Sequence, residues 1–516
     1  MEKLVLSKEH LERRAQKSRF VLRLDVFGTY LQQQMSTEDY FSFTSQFPDE
    51  ADKVILDAMY SGDWYSVYPS EVLPLRHNVF MDRFRAGGLD LFQEWVRIIK
   101  EEQGKECWLS HRISEVDVDK TNHPYTVKDE HPEWFLPAFG PNASGHRMNN
   151  MAVPELREHK LKVLGEVMRK YSFDGLDIDF ERHTPILPPG RQWEMREHVT
   201  EFMRALRKEL LQISKEQNRV VMLSARVPDC LKGCKEDGLD IWTWIQEDLV
   251  DCLTLGSRSF DVKAEEFRAL STDIQIYGCY DPHHSVDGYA FAALETFRGL
   301  AYSYMQRGAD GMEYFNWTGE GAKELVAFYV EKYNMDKALN GFVEWSNEDF
   351  TGINDRVFLA KQDKTYVIDR KGGYPWGIGY GNLNADRQLP KVIEKEGSVE
   401  LYVAENVAEA KSAMLKLLFE ELKEIPEIYF NGQKLLCKAI PHRDLQVTTE
   451  AVAPTSGYTV THRLLQGIDM SKPCTMFTCE LTGVETKIGY NSVCVMAKNS
   501  VRLEKVELEV KQVSYE

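Results

Sequence analysis

The chain has 516 residues, and at about 150 residues per domain this length predicts about three domains, or two if one is large. Its 63 basic and 81 acidic side chains give a formal charge of −18, which argues against nucleic acid and anionic membranes as partners, because both select clustered positive charge. No apolar run approaches the ~18 residues of a membrane-spanning helix, and the charged N-terminus lacks the apolar region of a secretory signal. We therefore expect a cytoplasmic protein, or a secreted one if a signal has been trimmed.

The cysteines and histidines give no sign of a metal centre. Nine cysteines are an odd number without a framework spacing. The pairs Cys230/Cys234 and Cys474/Cys479 lack further ligands at zinc-like spacing, so we expect reduced core thiols. Adjacent histidines such as His283-His284 point in opposite directions in a strand and make a poor chelate. The sequence predicts no metal and no other cofactor.

From residue 20 to about 335, short β-branched or aromatic runs alternate with segments of helical periodicity, which is typical of a parallel α/β fold. The clearest helices follow Pro154 and span about Gln192 to Asn218. Eight strands are predicted: Phe20–Phe27, Lys53–Met59, Glu106–Arg112, Phe173–Glu181, Arg219–Val227, Leu249–Leu255, Ile274–Tyr280 and Gly311–Trp317. Eight units in roughly 315 residues favour a (β/α)8 TIM barrel, with long binding loops or lids after strands 2 and 3.

Beyond about residue 340 the helical periodicity mostly disappears, and period-two runs such as SVELYVAE and RLEKVELEVKQV dominate. Turn signals such as NGQ and TSG separate these runs. We predict a catalytic barrel over residues 1–339 and an antiparallel β-sandwich over residues 340–516. We expect this accessory domain to pack against the barrel rather than to bind a glycan independently.

Strand 4 ends in Asp174-Gly-Leu-Asp-Ile-Asp-Phe-Glu181. Alternation places Asp177, Asp179 and Glu181 on one face, and the apolar residues between them must face the helices, so three carboxylates point into the barrel. Like charges this close cannot all ionise, so at least one pKa should rise toward neutrality. We expect Glu181, nearest the C-terminal mouth, to donate a proton. Asp179 would orient a substrate group or stabilise developing positive charge, and Asp177 would share a proton with Asp179. A polar network neutralised by inward arginines is the structural alternative.

This stretch resembles the DGxDxDxE signature of glycoside hydrolase family 18, the chitinase-like barrels. The resemblance implies that Glu181 is the acid, that Asp179 positions a substrate acetamido group as internal nucleophile, and that Asp177 supports Asp179. Strand 6, at residues 249–257, lacks the Met-x-Tyr-Asp pattern of that family, so a two-carboxylate mechanism stays open. The rest of the chain looks like family-10-like glycosidase barrels, through HPEW (131–134), AVPELREH (152–159), SARVP (224–228), GADGMEYFN (308–316) and the trailing β-domain.

In a two-carboxylate mechanism a second acid must come from another strand end. Asp281 is the first candidate, with a turn or helix cap as its structural alternative, and Glu313 and Asp57 follow. Sugar recognition needs polar and aromatic side chains at several strand ends. The predicted substrate-binding residues are Asp25, Asp57, His111, Arg112, Arg226, Tyr280, Asn316 and Trp317. A platform of loop aromatics, or equally loop packing, is predicted from Trp64, Tyr65, Tyr68 and Trp134.

The sequence therefore predicts a glycoside hydrolase that cleaves an oligo- or polysaccharide, with Glu181 as general acid/base and Asp179 as partner carboxylate. The alternative is a carbohydrate-binding barrel without turnover. A metal-dependent amidohydrolase barrel wants His-x-His on its first strand, which FVLRLDVFG lacks. A Schiff-base aldolase needs an inward lysine, and the strands offer only Lys53, at the wrong end of strand 2. A carbohydrate substrate is the one partner expected.

Overall fold

A computed structural model describes residues 4–18, 20–26, 35–57, 64–77, 79–114, 127–137, 148–256, 259–281, 289, 292–317, 331–332, 347–371, 380, 386–420, 422–441, 472–481 and 483–513. Eight parallel strands close a barrel in chain order. They are β1 (Phe20–Asp25), β2 (Lys53–Asp57), β3 (Glu106–Arg112), β4 (Gly175–Asp179), β5 (Met222–Val227), β6 (Cys252–Leu255), β7 (Gln275–Tyr280) and β8 (Gly311–Trp317). The eight predicted strands and the TIM-barrel fold are confirmed.

The two longest helices, Pro154–Lys170 and Glu197–Gln217, each bury an apolar face. The helices of the described residues, in chain order, are α1 (Lys8–Ala15), α2 (Thr37–Thr44), α3 (Val79–Ala86), α4 (Leu91–Val96) with a π-helical continuation (Arg97–Glu102), α5 (Val127–Glu130), α6 (Pro154–Lys170), α7 (Glu197–Gln217), α8 (Leu231–Glu236), α9 (Ile241–Gln246), α10 (Ala264–Arg268), α11 (Leu294–Gln306) and α12 (Arg356–Ala360). Both helices singled out from the sequence are present as α6 and α7. None of the helices in these ranges is long and apolar enough to cross a membrane.

The floor of the barrel is apolar and tightly packed. Trp108 on β3 fills the space beside Gly175 on β4, where an added Cβ would lie 2.5 Å from the indole ring. The ammonium group of Lys53 lies 4.0 Å from the centroid of the Trp108 ring, which satisfies a buried cation without a carboxylate. Below this floor α1 closes the barrel, where His10 and Arg207 both bind the buried carboxylate of Asp251. The opposite end, at the strand C-termini, is the mouth.

The C-terminal part is an antiparallel β-domain of two sheets, and the predicted sandwich is confirmed. One sheet has the order β10-β18-β12-β16-β15 with β9 also paired to β18, and the other has the order β11-β17-β13-β14. The strands are β9 (Lys364–Val367), β10 (Lys391–Ile393), β11 (Glu396–Val403), β12 (Ser412–Glu420), β13 (Glu427–Phe430), β14 (Gln433–Lys434), β15 (Cys437–Pro441), β16 (Cys474–Glu480), β17 (Gly489–Met496) and β18 (Val501–Lys511). Short 3₁₀ turns lie at Pro132–Trp134, Asn347–Phe350 and Val407–Glu409.

One expectation about the cysteines is wrong. Cys437 on β15 and Cys479 on β16 lie directly opposite each other and form a disulfide, with 4.3 Å between their Cα atoms. The alternation of the two strands brings these side chains together, although 42 residues separate them in the sequence. The other seven cysteines are free thiols. The cytoplasmic location, which rested partly on nine reduced thiols, stays a prediction.

The β-domain packs against the barrel along α11, beside the segment after β6. Gly299 on α11 allows close approach, because a Cβ there would lie 2.4 Å from the carbonyl oxygen of Thr365 on β9. The buried guanidinium of Arg307 binds Asp261 and Glu265 and lies 4.3 Å from the ring centroid of Tyr402 on β11. The predicted boundary at residues 339 and 340 lies outside the described residues.

Candidate active site at the barrel mouth

A buried polar layer lies inside the barrel, above its apolar floor. Arg23 on β1 donates from Nη2 to Asp177 at 2.8 Å, from Nε to Glu313 at 2.7 Å and from Nη1 to Ser110 at 2.5 Å. Burial alone would lower the pKa of Arg23, but Asp177, Glu313 and Asp179 raise it well above its ordinary value. The guanidinium therefore keeps its charge and neutralises part of the carboxylate ladder.

The structure gives Asp177 different partners from the expected proton-sharing with Asp179. One oxygen of Asp177 accepts from Arg23 and Ser110, and the other accepts from Ser224 at 2.5 Å. Thr254 donates to the second oxygen of Glu313 at 3.0 Å. Both acids thus belong to the buried layer, as the structural alternative for the ladder anticipates.

Arginines and carboxylates pair again one level higher, at the mouth. Arg226 on β5 donates from Nη2 to Asp179 at 2.5 Å, and Arg112 on β3 donates to Asp57 on β2 at 2.9 Å. The guanidinium carbon of Arg226 lies 4.2 Å from the ring centroid of Phe315 on β8. The strand register explains the pairing, because Arg112, Asp179 and Arg226 are direct neighbours on β3, β4 and β5.

Asp179 is held as an anion. Its second oxygen accepts from the backbone N–H groups of Glu181 at 2.9 Å and Arg182 at 3.1 Å, in the turn that ends the strand. Burial would raise the pKa of Asp179, but Arg226, then Arg23 and Arg112, bring it well below the ordinary value. With both oxygens bound, Asp179 has a fixed orientation and little basicity.

Glu181 has the opposite electrostatic environment. Its side chain is buried, with 5% of its surface exposed. Burial raises its pKa from 4.5 to about 8; Arg226 opposes this rise, while Asp237, Asp229 and Asp179 add to it. The direction agrees with the sequence expectation, but the main cause is desolvation rather than the carboxylate ladder. Glu181 is therefore mostly protonated at neutral pH.

The chain turns sharply just after Glu181. His183 has a φ of 59°, a left-handed conformation that is uncommon for a residue with a side chain. Its Nδ1 donates to the carbonyl oxygen of Ser114 at 3.0 Å, which ties this turn to the end of β3. Backbone strain of this kind persists where the surroundings enforce it, and here the bond to Ser114 holds the turn in place.

Two predicted substrate-binding residues lie on the outer face of the barrel instead. His111 alternates with the inward Ser110 and Arg112, and its Nε2 accepts from buried Lys160 on α6 at 3.1 Å. Tyr280 packs edge-to-face against Phe297 on α11 at a centroid distance of 5.2 Å. The prediction is wrong for both because strand side chains alternate between faces, and these two positions have the outward parity.

The bulge in β8 changes where its last residues point. Asn316 has a φ of 58°, and the β1–β8 register shifts there, so Trp317 lies on the same side as Tyr314. Trp317 packs on Tyr314 at 5.3 Å and on Phe350 at 5.4 Å between centroids, and it is buried. It is thus a packing residue in this structure rather than a surface open to the mouth.

The remaining predicted residues lie where the sequence placed them, at strand ends. Asp25 is half-buried and faces Asp57 across the β1–β2 register. Asp281 is fully buried and directly follows β7, while His283 and His284 lie outside the described residues. Trp64, Tyr65, Tyr68 and Trp134 are all buried, so the structure supports loop packing for these four aromatics.

Sequence reasoning missed four residues: Asp229 and Asp237, which interact electrostatically with Glu181, and Tyr380 and Arg387, which bind these two acids. Asp229 and Asp237 follow β5 and α8, and Tyr380 and Arg387 come from the C-terminal half of the chain. The Val-Pro-Asp229 end of strand 5 is a local signal, because it places an acid at a strand C-terminus. No local pattern marks Tyr380 or Arg387, since their relation to the mouth depends on how the two halves pack.

The sequence matches no protein-family model and no curated protein. Solved structures similar to it include glycoside hydrolases. One of these structures is α-L-fucosidase isoenzyme 2 from Paenibacillus thiaminolyticus, at 12% identity over 64% of this chain and 50% of that chain, with a TM-score of 0.38. Another is the PgaB (BpsB) glycoside hydrolase domain from Bordetella bronchiseptica, at 14% identity over 63% of this chain and 99% of that chain, with a TM-score of 0.37. A third is a glycoside hydrolase family 18 N-acetylglucosaminidase from Paenibacillus barengoltzii, at 12% identity over 46% of this chain and 53% of that chain, with a TM-score of 0.26. The chain spans about half the length of the fucosidase it matches. Likeness this low assigns no activity to the chain.

Proposed function

We propose that the protein is a glycoside hydrolase in which Glu181 is the general acid/base and Asp179 the partner carboxylate. One observation carries the proposal: two neighbouring carboxyl groups have opposite surroundings. Asp179 is held by Arg226 and two backbone N–H groups, which keep its pKa well below the ordinary value, whereas burial of Glu181 raises its pKa to about 8. Such a divided pair, at the strand C-termini of a barrel, suits an acid and an anion acting on one substrate.

In the proposed reaction the glycosidic C–O bond breaks as the Glu181 carboxyl gives its proton to the leaving oxygen. The hydroxyl of a water molecule joins the anomeric carbon, and the other proton of that water returns to Glu181. The high pKa suits this role, since an acid near the operating pH is both protonated before the step and able to release its proton.

Asp179 is suited to stabilising charge rather than to moving a proton. The guanidinium of Arg226 keeps the pKa of Asp179 low, which makes this carboxylate a weak base. As a fixed anion it would stabilise positive charge that develops on the sugar ring. A second carboxylate that activates water or attacks the ring is then sought at another strand end, and Asp281, buried directly after β7, is the first candidate.

The mouth also carries hydrogen-bonding atoms suited to a polyhydroxylated ligand. Within the described residues, Oδ1 of Asp57 and both Nε and Nη1 of Arg226 are buried without a hydrogen-bond partner. Buried polar atoms of this kind are costly unless a partner occupies the site. Sugar hydroxyl groups both donate and accept, so one substrate class fits the acceptor and the donors.

A carbohydrate-binding barrel without turnover is the second candidate. The observation in its favour is that both oxygens of Asp179 are already bound by protein groups, so a substrate acetamido group would have to share an oxygen with Arg226 or with the backbone N–H groups. This candidate predicts tight oligosaccharide binding with no product after long incubation.

The experiment that separates these candidates is a screen of aryl glycosides and oligosaccharides with the intact chain and with Glu181→Gln. The hydrolase proposal expects cleavage by the intact chain and a loss of about 10²- to 10⁴-fold in kcat/KM in the variant. Glu158→Gln, an exposed replacement on α6, is the matched control and should retain activity. Full activity in Glu181→Gln would refute the role assigned to Glu181. Comparing substrates with and without an N-acetyl group, with NMR of the first-formed anomer, would identify the mechanism.

A further inference from the structure

We propose that the C-terminal half of the chain completes the candidate active site, with Arg387 and Tyr380 as positioning residues that hold Asp229 and Asp237 beside Glu181. This inference rests on the proposed function and extends it, because it makes the accessory half part of the catalytic unit.

Asp229 lies next to Glu181 because of the strand register. Asp179 on β4 faces Arg226 on β5, so the chain beyond β5 brings residues 228 and 229 to the level of Glu181. Asp229 also packs at the end of β6, where a Cβ on Gly256 would lie 3.1 Å from the Cβ of Asp229. Its carboxylate is buried and forms an ion pair with the guanidinium of Arg387.

Arg387 is itself anchored on both sides of the boundary between barrel and β-domain. Its Nε lies 3.3 Å from a carboxylate oxygen of Asp369. Asp369 in turn accepts the backbone N–H of Phe260 at 2.9 Å and that of Asp261 at 3.2 Å, in the loop after β6. The guanidinium therefore bridges one acid of the barrel and one acid of the segment after β9, with only 9% of its side chain exposed.

Tyr380 holds the second acid through its backbone and its ring. Its N–H donates to the two oxygens of Asp237 at 3.0 and 3.2 Å. Its ring lies over Gly233 on α8, where an added Cβ would be 2.4 Å from a ring carbon. Its hydroxyl group lies 3.4 Å from the sulfur of Cys230. Gly233 thus provides the space by which the C-terminal half contacts α8.

Titratable groups from several elements interact electrostatically with Glu181. They are Asp179 from β4, Arg226 from β5, Asp229 from the loop after β5, and Cys234 and Asp237 from α8 and its end. Arg387 and Tyr380 bind two of these groups, Asp229 and Asp237. Burial raises the pKa of Asp237 to about 7, so its charge changes in the same pH range as that of Glu181. The cation of Arg387 offsets the negative charge of Asp229, and the loss of either group should change the protonation of Glu181, in opposite directions.

The test measures the pH dependence of kcat/KM and, independently, the titration of the Glu181 carboxyl carbon in ¹³C-glutamate-labelled full-length protein, assigned by difference with Glu181→Gln. Removing a cation disfavours the Glu181 anion. Arg387→Gln should therefore move the basic limb of the kcat/KM profile and the midpoint of the NMR titration to higher pH, by about half a pH unit to one pH unit. Asp229→Asn should move both downward by a similar amount, and Arg387→Lys should restore most of the original values. Arg370→Gln, which breaks a buried ion pair with Glu504 inside the β-domain, is the matched control and should move neither.

Opposite shifts in Arg387→Gln and Asp229→Asn support the inference, since a general loss of structure would not move the titration in two directions. If neither variant shows a shift although both fold, the inference is overturned. If Arg387→Gln does not fold, the shift in Asp229→Asn decides. If no glycoside is cleaved but the NMR shifts are seen, the proposed function fails while the positioning role stands. If cleavage depends on Glu181 and the shifts are missing, only the positioning role fails.

Discussion

Replacing Glu181 with glutamine should change how the stability of the protein depends on pH. Burial raises the pKa of Glu181 from 4.5 in a solvated chain to about 8 in the folded protein. Folding therefore keeps a proton that the unfolded chain releases, so stability from this group is fully present below pH ~4.5 and is lost as pH rises through ~8. At about 1.4 kcal/mol per pKa unit, the full change approaches 5 kcal/mol. Glutamine has the same shape and does not titrate, so the variant should lack this loss.

The assay is urea unfolding of the intact chain and of Glu181→Gln at intervals from pH 4 to pH 9. The free energy of unfolding of the variant minus that of the intact chain should rise with pH, by roughly 1.4 kcal/mol per unit between the two pKa values. The subtraction removes groups that titrate equally in both proteins. The exposed Glu158→Gln replacement is the matched control. A flat difference for Glu181→Gln would show that burial does not raise the pKa of Glu181, and the assigned acid role would lose its basis.

Three further replacements test the neighbouring groups. Asp179→Asn leaves the buried Arg226 without its carboxylate. The value of kcat/KM should fall at least about 100-fold, and the free energy of unfolding should fall by about 3–5 kcal/mol. Unchanged kinetics would contradict the role of Asp179 as partner carboxylate. Arg23→Met leaves two buried carboxylates without their cation and should cost about 3–5 kcal/mol in denaturant unfolding, with near-native stability as the contradicting result. Gly175→Ala places a Cβ 2.5 Å from the Trp108 ring and should lower stability by about 1–3 kcal/mol in the same assay, whereas no loss would mean that the floor can repack.

Much of the barrel could be predicted from the sequence because its signals are local. Each strand is a short apolar run, and the ladder at Asp177, Asp179 and Glu181 follows from alternation along one strand. The positions of Asp57, Arg112 and Arg226 at strand ends were predictable for the same reason. The hydrogen-bond partner of each of these groups could not be predicted, because the sequence of one strand does not reveal which side chains face it across the barrel.

The features that the sequence did not predict depend mostly on contacts between segments that are distant along the chain. Parity, which served for the ladder, would also have placed His111 and Tyr280 on the outer face, but the bulge at Asn316 that reverses parity for Trp317 has no clear signal in the sequence. The Cys437–Cys479 disulfide depends on the pairing of β15 with β16. The contacts of Tyr380 and Arg387 with the loop after β5 depend on how the β-domain docks.

The central claim, that Glu181 protonates the leaving oxygen, is tested most directly by the dependence of its replacement on the leaving group. The intact chain and Glu181→Gln would be compared on one sugar carrying aglycones that range from dinitrophenol to a simple alcohol. A good leaving group needs little protonation, so the loss in kcat/KM should be small for dinitrophenol and rise to about 10²- to 10⁴-fold for the alcohol. An equal loss across the whole series would contradict proton donation by Glu181.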